Sequence, residues 1–342
     1  MKIKIVFIHM VLLLQSSWAT PFLWDEKAQE NSLAIKELKT RSSGSLRVFW
    51  WNVEKGLTNM TLGNHSLEQN LKALANGALS PDVIILGEMT SKAISSDTMD
   101  ELMSVYPYSS FEGYNSESKD LGILSLSKFP FKAFAAIPLD WTPEGLSSVE
   151  IKNYRQHWKE LSPKGYRLFT RPYLRLRIDL GENEVDVIAF HGVMPWEAMM
   201  KDWGRFSSSI GKIEVGLTLM DLKLTQRDPL NSQLRNLKKQ MQHDFGENLD
   251  AGNLVLIGDF NTPMTVYGVS TLAKILFKDL NNVTSEEEVV SFPSRSSEIH
   301  SKYTGLRIDH AFISKHTELI KSSVLEFQGS DHYPLLLEIR PR

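Results

Sequence analysis

Cysteine is absent from the 342 residues, so the chain can hold no disulfide, thiolate nucleophile, lipid-anchored cysteine or Cys-based zinc site. Any metal must therefore be held by oxygen and imidazole. A large excess of either charge is also lacking. The formal net charge of −3 gives no global field for polyanions, so nucleic-acid binding would have to rest on a local basic patch. Long hydrophobic runs are missing too: the apolar stretch Ile5 to Leu14 is interrupted by His9 and is too short to span a bilayer. It follows Lys2 and Lys4 and precedes Ser17-Trp18-Ala19, the layout of a signal peptide cleaved before Thr20. Residues 1–19 are expected to be that signal peptide. The mature protein is then secreted or periplasmic, with no transmembrane segment after cleavage. Residues 20–45 read as a leader segment. No repeat or linker divides residues 46 to 340, and 42% hydrophobic with 23% charged residues supplies an ample core for one domain over 46–342, expected as a monomer.

What is present is organised around Leu254 to Pro263, Leu-Val-Leu-Ile-Gly-Asp-Phe-Asn-Thr-Pro. Four apolar residues form a short buried strand that stops at Gly258, where a turn begins. In an extended segment Asp259 and Asn261 point the same way while Phe260 points back into the protein. Such a pair can hold and aim a water, the Asp accepting protons and the Asn both donating and accepting hydrogen bonds. Taken alone, the stretch reads as a turn first and a site second.

Other strands end in similar residues. Leu46 to Val53 is a strand delivering Asn52, and Pro81 to Leu86 is a buried strand with Glu88 just past Gly87. Ser66 with Gln69 forms a capping box before Leu67, Leu71 and Leu74. Gly122 to Pro130 reads as a strand ending at Lys128, a surface lysine or a phosphate contact. Tyr173 to Leu180 and Val185 to Phe190 pair around Gly181-Glu-Asn-Glu, with His191 at the exit. From Pro195 to Asp250 the chain is mainly helical, and a further helix lies near Leu272 to Phe277. Asp309 and His310 sit in a strand Arg307 to Ile313, and Asp331-His332 precedes the closing strand Leu335 to Ile339. The one basic region is Ile151 to Arg177, with Arg155, Arg171, Arg175 and Arg177 among its cations. It is read as a solvated face or, given Tyr154, Trp158, Tyr166 and Tyr173, as a surface for an anionic ligand with an aromatic part. Strands alternating with helices and ending in polar residues point to a layered α/β domain with one active mouth.

In order and in type, these strand ends match a family. The motifs are Trp-Asn52-Val, Pro-Asp-Val-Ile-Ile-Leu-Gly-Glu88, Gly-Ile-Leu-Ser-Leu-Ser-Lys-Phe-Pro, Arg171-Pro, Phe-His191, Gly-Asp259-Phe-Asn261, Arg-Ile-Asp309-His and Ser-Asp331-His332-Tyr-Pro. With them the chain resembles the endonuclease/exonuclease/phosphatase superfamily, the deoxyribonuclease I-like group, over about residues 46 to 340. The resemblance implies an α/β (α+β) four-layer sandwich, two mixed β-sheets packed face to face with helices on both outer sides. It also implies hydrolysis of a phosphate ester with a divalent cation, magnesium first and manganese or calcium as alternatives. Carried over by position, Glu88 is the metal ligand with Asn52 beside it and Asp331 completing the oxygen shell. Asp259 and Asn261 orient or deprotonate the attacking water. His191 and Arg171 hold non-bridging phosphate oxygens, and His332, paired with Asp309, is the catalytic imidazole.

The chain departs from the family at Gly87, where glutamine is usual, and in the long segments Pro138 to Phe169 and Trp196 to Leu230. Three functions follow. The first is an exported metal-dependent phosphodiesterase, with a lean toward a nuclease from the basic 151–177 stretch. The second is a phospholipid or sphingomyelin head-group hydrolase or a small phosphate-ester phosphatase, with Trp196, Trp203 and Phe206 available to touch a membrane. The third is a non-catalytic binding module on the same fold.

Overall fold

The computed structural model describes residues 42–53, 67–77, 79–90, 93–114, 121–161, 171–193, 229–249, 252–261, 265–266, 269–270, 276–283, 291, 308–325, 327 and 330–342. The proposed signal peptide, Ser66, Lys164, Arg167, Trp196, Trp203, Phe206 and most of the helical stretch predicted over 195–250 lie outside them.

The described strands are β1 (Leu46–Asn52), β2 (Val83–Thr90), β3 (Tyr108–Gly113), β4 (Leu121–Ser127), β5 (Phe131–Leu139), β6 (Arg171–Asp179), β7 (Glu184–His191), β8 (Leu254–Asp259), β9 (Thr265–Val266), β10 (Val269–Ser270), β11 (Asn281–Asn282), β12 (Asp309–Ile313), β13 (Thr317–Val324) and β14 (Leu335–Pro341). The described helices are α1 (Leu67–Asn76), α2 (Ser96–Val105), α3 (Ser148–Leu161) and α4 (Pro229–Phe245). Two six-stranded mixed sheets result, ordered β13-β14-β1-β2-β4-β3 and β11-β12-β8-β7-β6-β5.

Alternation along the central strands explains the layering. In β1, Leu46, Val48 and Trp50 enter the core between the sheets, while Phe49 and Trp51 face the helix layer outside. Val187 and Ala189 of β7 and Val255 and Ile257 of β8 do the same from the second sheet, with Ile188, Phe190, Leu254 and Leu256 facing outward. Strands covered on both faces read as unbroken apolar runs, which is why these were visible in the sequence. The outer faces are closed by amphipathic helices. α1 buries Leu67, Leu71 and Leu74, and α4 buries Leu230, Leu234, Leu237, Met241 and Phe245. Each such side chain contributes roughly 1.5–3 kcal/mol on leaving water. Ser95 caps α2 by accepting from the Thr98 amide at 3.3 Å.

One edge is clasped electrostatically. Arg47 and Glu338, neighbours across β1 and β14, pair at 3.0 Å while almost fully buried. Glu338 also accepts from the Ser42 amide at 2.7 Å and the Ser45 hydroxyl at 2.8 Å. The opposite edge carries the candidate site.

Candidate active site

Strand direction brings the polar residues together. β1 runs parallel to β2 with Asn52 opposite Gly87, and β7 runs parallel to β8 with His191 opposite Asp259, so both pairs end at the same edge. β12 is antiparallel to β8 and begins there, Asp309 opposite Asp259. β6 begins there with Arg171, being antiparallel to β7, and β14, antiparallel to β1, is preceded there by Asp331 and His332. Gly258 permits the convergence, since a Cβ on it would lie 1.8 Å from the Phe190 carbonyl oxygen of β7.

Asp259 is the hub, fully buried at the end of β8. Its Oδ2 accepts from Asn52 Nδ2 at 3.1 Å and lies 3.5 Å from His191 Nε2 and 3.8 Å from His332 Nε2. Its Oδ1 accepts from the Asn261 amide at 2.8 Å. That bond closes a turn, with Asn261 at φ 49°, so Asn261 is not in the extended segment expected of it. Turn and site are here one object: the Asn261 side chain swings to donate to the Gly192 carbonyl at 2.7 Å, bracing the end of β8 against that of β7. Phe260 packs into the outer core, as its direction in the sequence required.

His332 is held at Nδ1 by Asp309 Oδ2 at 2.7 Å, and Asp309 Oδ1 accepts from the Trp50 indole at 2.9 Å. Burial opposes a charged imidazole, but the Asp309 and Asp331 carboxylates outweigh it and hold the His332 pKa well above that of an ordinary histidine. His191 is the reverse. Burial first, then the charges of Arg171 and His332, push it well below, so it is neutral. Burial and the charge of Asp309 raise Asp259 above the ordinary carboxylate range, against His332, the Asn261 amide and Arg171.

Glu88 sits where β2 loses register between Leu86 and Met89, with φ 54°. Its Oε1 is 3.5 Å from His191 Nε2. A non-glycine residue in the left-handed region costs on the order of 1 kcal/mol or more and marks a position fixed by its surroundings. Burial and then the negative charge of Glu88 raise Asp331, so the two carboxylates repel across the same space. That repulsion is what a divalent cation would relieve, and an oxygen set of Glu88, Asp331 and Asn52 suits a hard ion such as magnesium. Ligand atoms of Asp259, Asp309 and His332 also lie within 4.8 Å of one another. Both Asp309 oxygens are already engaged, however, so this trio is a hydrogen-bonded relay rather than a cation cage.

Arg171 is buried, donates through Nη1 to the Gly192 carbonyl and lies over the Tyr114 ring at 5.3 Å. Its Nε has no partner among the described residues, leaving guanidinium donors for an anion. Lys128 is not in the site. It lies at the opposite edge, where its backbone amide meets the Asp82 carbonyl and its ammonium meets Ser80. Three cations of the basic stretch are paired within the protein, Arg155 with Asp140, Arg175 with Asp186 and Asp244, and Arg177 with Asp186 and Glu184, while Lys152 is exposed.

Two residues of the site escaped the sequence reading. Trp50 looked like core alone, and nothing in its spacing announces the indole bond to Asp309. Tyr114 follows a short strand of mostly exposed residues with no helical or alternating signal. It is nevertheless almost fully buried against His191 and Glu88.

The family model described as the Endonuclease/Exonuclease/phosphatase family matches residues 49–332. No curated protein sequence matches the chain. Among solved structures, an endonuclease/exonuclease/phosphatase from Beutenbergia cavernae is 19% identical with TM-score 0.53, the match covering 87% of this chain and 72% of that one. A truncated Caenorhabditis elegans TDP2 is 15% identical with TM-score 0.51, covering 86% and 97%. Sphingomyelinase C from Streptomyces griseocarneus is 14% identical with TM-score 0.50, covering 86% and 99%. At these identities the likeness is one of fold.

Proposed function

Because residues 49–332 match its model, the chain belongs to the endonuclease/exonuclease/phosphatase family, and from that membership and the site we propose that it is a divalent-metal-dependent hydrolase of phosphodiester bonds. The observation that carries this reading is two imidazoles of opposite character facing one carboxylate oxygen, His191 Nε2 at 3.5 Å and His332 Nε2 at 3.8 Å from Asp259 Oδ2. Pairs of titratable groups pushed apart by their surroundings are the signature of divided acid and base roles.

In the proposed reaction Asp259, braced by Asn52 and Asn261, orients the attacking water and draws its proton as the water oxygen bonds to phosphorus. Neutral His191 and Arg171 donate hydrogen bonds to the non-bridging oxygens. His332, kept cationic by Asp309, faces the charge that develops as the ester P–O bond breaks and gives the leaving oxygen its proton. Glu88, Asp331 and Asn52 would hold magnesium, whose chemistry is to offset charge on the phosphoryl oxygens. Part of the support for a nuclease falls away, since Arg155, Arg175 and Arg177 are matched by acids of the chain itself, while Lys152 is exposed and Arg171 lies in the site. Export after cleavage before Thr20 remains part of the proposal on its sequence layout alone.

Hydrolysis of bis-p-nitrophenyl phosphate with magnesium, and with EDTA, is the direct test. Turnover abolished by EDTA and restored by magnesium is expected, with Glu88→Ala, Asp259→Ala and His332→Ala each folded and inactive. Turnover unaffected by EDTA would remove the cation from the reading; no turnover on this substrate, DNA, RNA or sphingomyelin vesicles would leave a binding module on the same fold.

A further inference from the structure

We propose that Tyr114 is a positioning residue that fixes His191 in the tautomer carrying its proton on Nε2 and braces the strained Glu88 backbone through the same hydroxyl. The inference deepens the phosphodiesterase reading and rests on it for its catalytic consequence, though the tautomer itself does not. The Tyr114 oxygen accepts from the Glu88 backbone amide at 2.7 Å and lies 2.7 Å from His191 Nδ1. An amide can only donate, so that contact takes a lone pair of the phenol and leaves its single proton in need of an acceptor. Among the described residues the remaining partner is His191 Nδ1. Tyr114 is 1% exposed, which makes an unmade bond costly. Nδ1 is then the unprotonated nitrogen.

The other end of the ring requires the same assignment. His191 Nε2 faces Glu88 Oε1 and Asp259 Oδ2, each at 3.5 Å, and an N–H there is attracted to the Glu88 carboxylate where a lone pair would be repelled. The ring of Tyr114 also packs edge-on to His191 with centroids 5.5 Å apart and underlies the Arg171 guanidinium. One side chain thus touches Glu88, His191 and Arg171. Its hydroxyl converts His191 from a group that could face the site as an acceptor, repelling a phosphoryl oxygen, into a fixed donor. The same oxygen satisfies the amide of the residue at φ 54°.

Tyr114→Phe keeps the ring against Arg171 and His191 and removes only the hydroxyl. Nitrogen-15 NMR of histidine-labelled, metal-free protein, with His191 assigned by its loss in His191→Gln, reads the tautomer directly. Wild type should show protonated Nε2 and unprotonated Nδ1, and Tyr114→Phe a mixture of tautomers. With bis-p-nitrophenyl phosphate and magnesium, kcat should fall by about 10–100-fold with KM little changed, the usual range for outer partners that orient a site. A pure Nε2–H tautomer persisting in Tyr114→Phe, or an Nδ1–H tautomer in wild type, would overturn the assignment. So would unchanged kcat in a variant of an active wild type. A wild type that hydrolyses nothing but shows the expected tautomer change would sink the phosphodiesterase reading and leave the positioning intact.

Discussion

Restoring a side chain at Gly87, where the family usually carries glutamine, should damage the protein. A Cβ built there would lie 2.7 Å from Trp50 Cη2 and 3.0 Å from Cζ2. Non-bonded carbons settle at about 3.5–4.0 Å, so ring or strand must yield by roughly 1 Å. Neither can do so freely: Trp50 is buried between the sheets, and Gly87 is in register with Asn52 at the site. Overpacking of this kind costs about 1–3 kcal/mol. Displacing the indole also stretches its 2.9 Å bond to Asp309 Oδ1, and a hydrogen bond to a charged group is worth about 1.5–3 kcal/mol. For Gly87→Ala, urea unfolding should therefore show a loss of about 2.5–6 kcal/mol, the two contributions together. Turnover should fall as well, because Asp309 orients His332. Gly87→Gln should do worse although it restores the usual residue. Trp50→Phe lacks the indole N–H and is smaller, so in that background Gly87→Ala should cost less than it does alone. A wild-type unfolding midpoint and turnover in Gly87→Ala, or strict additivity of the two substitutions, would refute the reasoning.

Asp309→Asn removes the nearest charge that keeps His332 protonated, so the His332 pKa should fall. The alkaline limb of the kcat profile should move to lower pH and kcat drop by about 10²–10⁴-fold; steady-state kinetics across pH checks this, and an unmoved limb contradicts it. At the opposite edge, burial works against the ionised Glu338, but hydrogen bonds from the Ser42 amide and Ser45 hydroxyl, with Arg47, hold its pKa below the ordinary glutamate value. A depressed carboxylate contributes stability that is present above its unfolded pKa and lost as pH falls through its folded one. Urea midpoints of wild type should thus decline from neutral pH into the acid range more steeply than those of Glu338→Gln, and parallel curves would rule the contribution out. Because it takes away the carboxylate that faces the buried Arg47, the variant should also lose about 3–5 kcal/mol at neutral pH with kcat intact.

How much of this was legible follows from where each residue sits. β1, β2, β7, β8 and β14 are buried on both faces and announce themselves as apolar runs. Each ends or begins at the same edge, which is what brings Asn52, His191, Asp259 and His332 together from distant parts of the chain. β3 and β5 are the outer strands of their sheets, with Tyr108, Phe111 and Phe134 exposed; β3, Tyr-Ser-Ser-Phe-Glu-Gly, has no apolar run to show, whereas β5 has one from Ala133 to Leu139 that does not alternate and ends in none of the polar motifs. α3 falls mostly in the basic stretch Ile151 to Arg177, which reads as a solvated face or as a surface for an anionic ligand, and composition alone does not separate the two. The contacts made by Tyr114 and Trp50 could not be read at all. Each depends on which side chain a strand in one sheet presents to a strand in the other, and hydrophobic periodicity carries no information about that pairing.

Charge is what supports a cation in the proposed reading. Glu88, Asp259, Asp309 and Asp331 bring four carboxylates to the edge, where Arg171 and the protonated His332 are the facing cations and His191 is neutral. Among the described residues two negative charges are left over there. Without an ion the surplus must be carried by protonation, which is the sense in which Asp259 and Asp331 are both shifted upward, burial being the larger cause and the neighbouring carboxylate the next. A doubly charged ion beside Glu88 and Asp331 would lower the cost of keeping both acids ionised and return Asp259 to the form that can accept a proton. In the proposed reaction a phosphodiester would add one negative charge, and Arg171, whose Nε has no partner among the described residues, would with the Nε2–H of His191 supply donors for it. On the proposed reading the acids would hold the ion and the cations the anion, with Asp259 between the two sets.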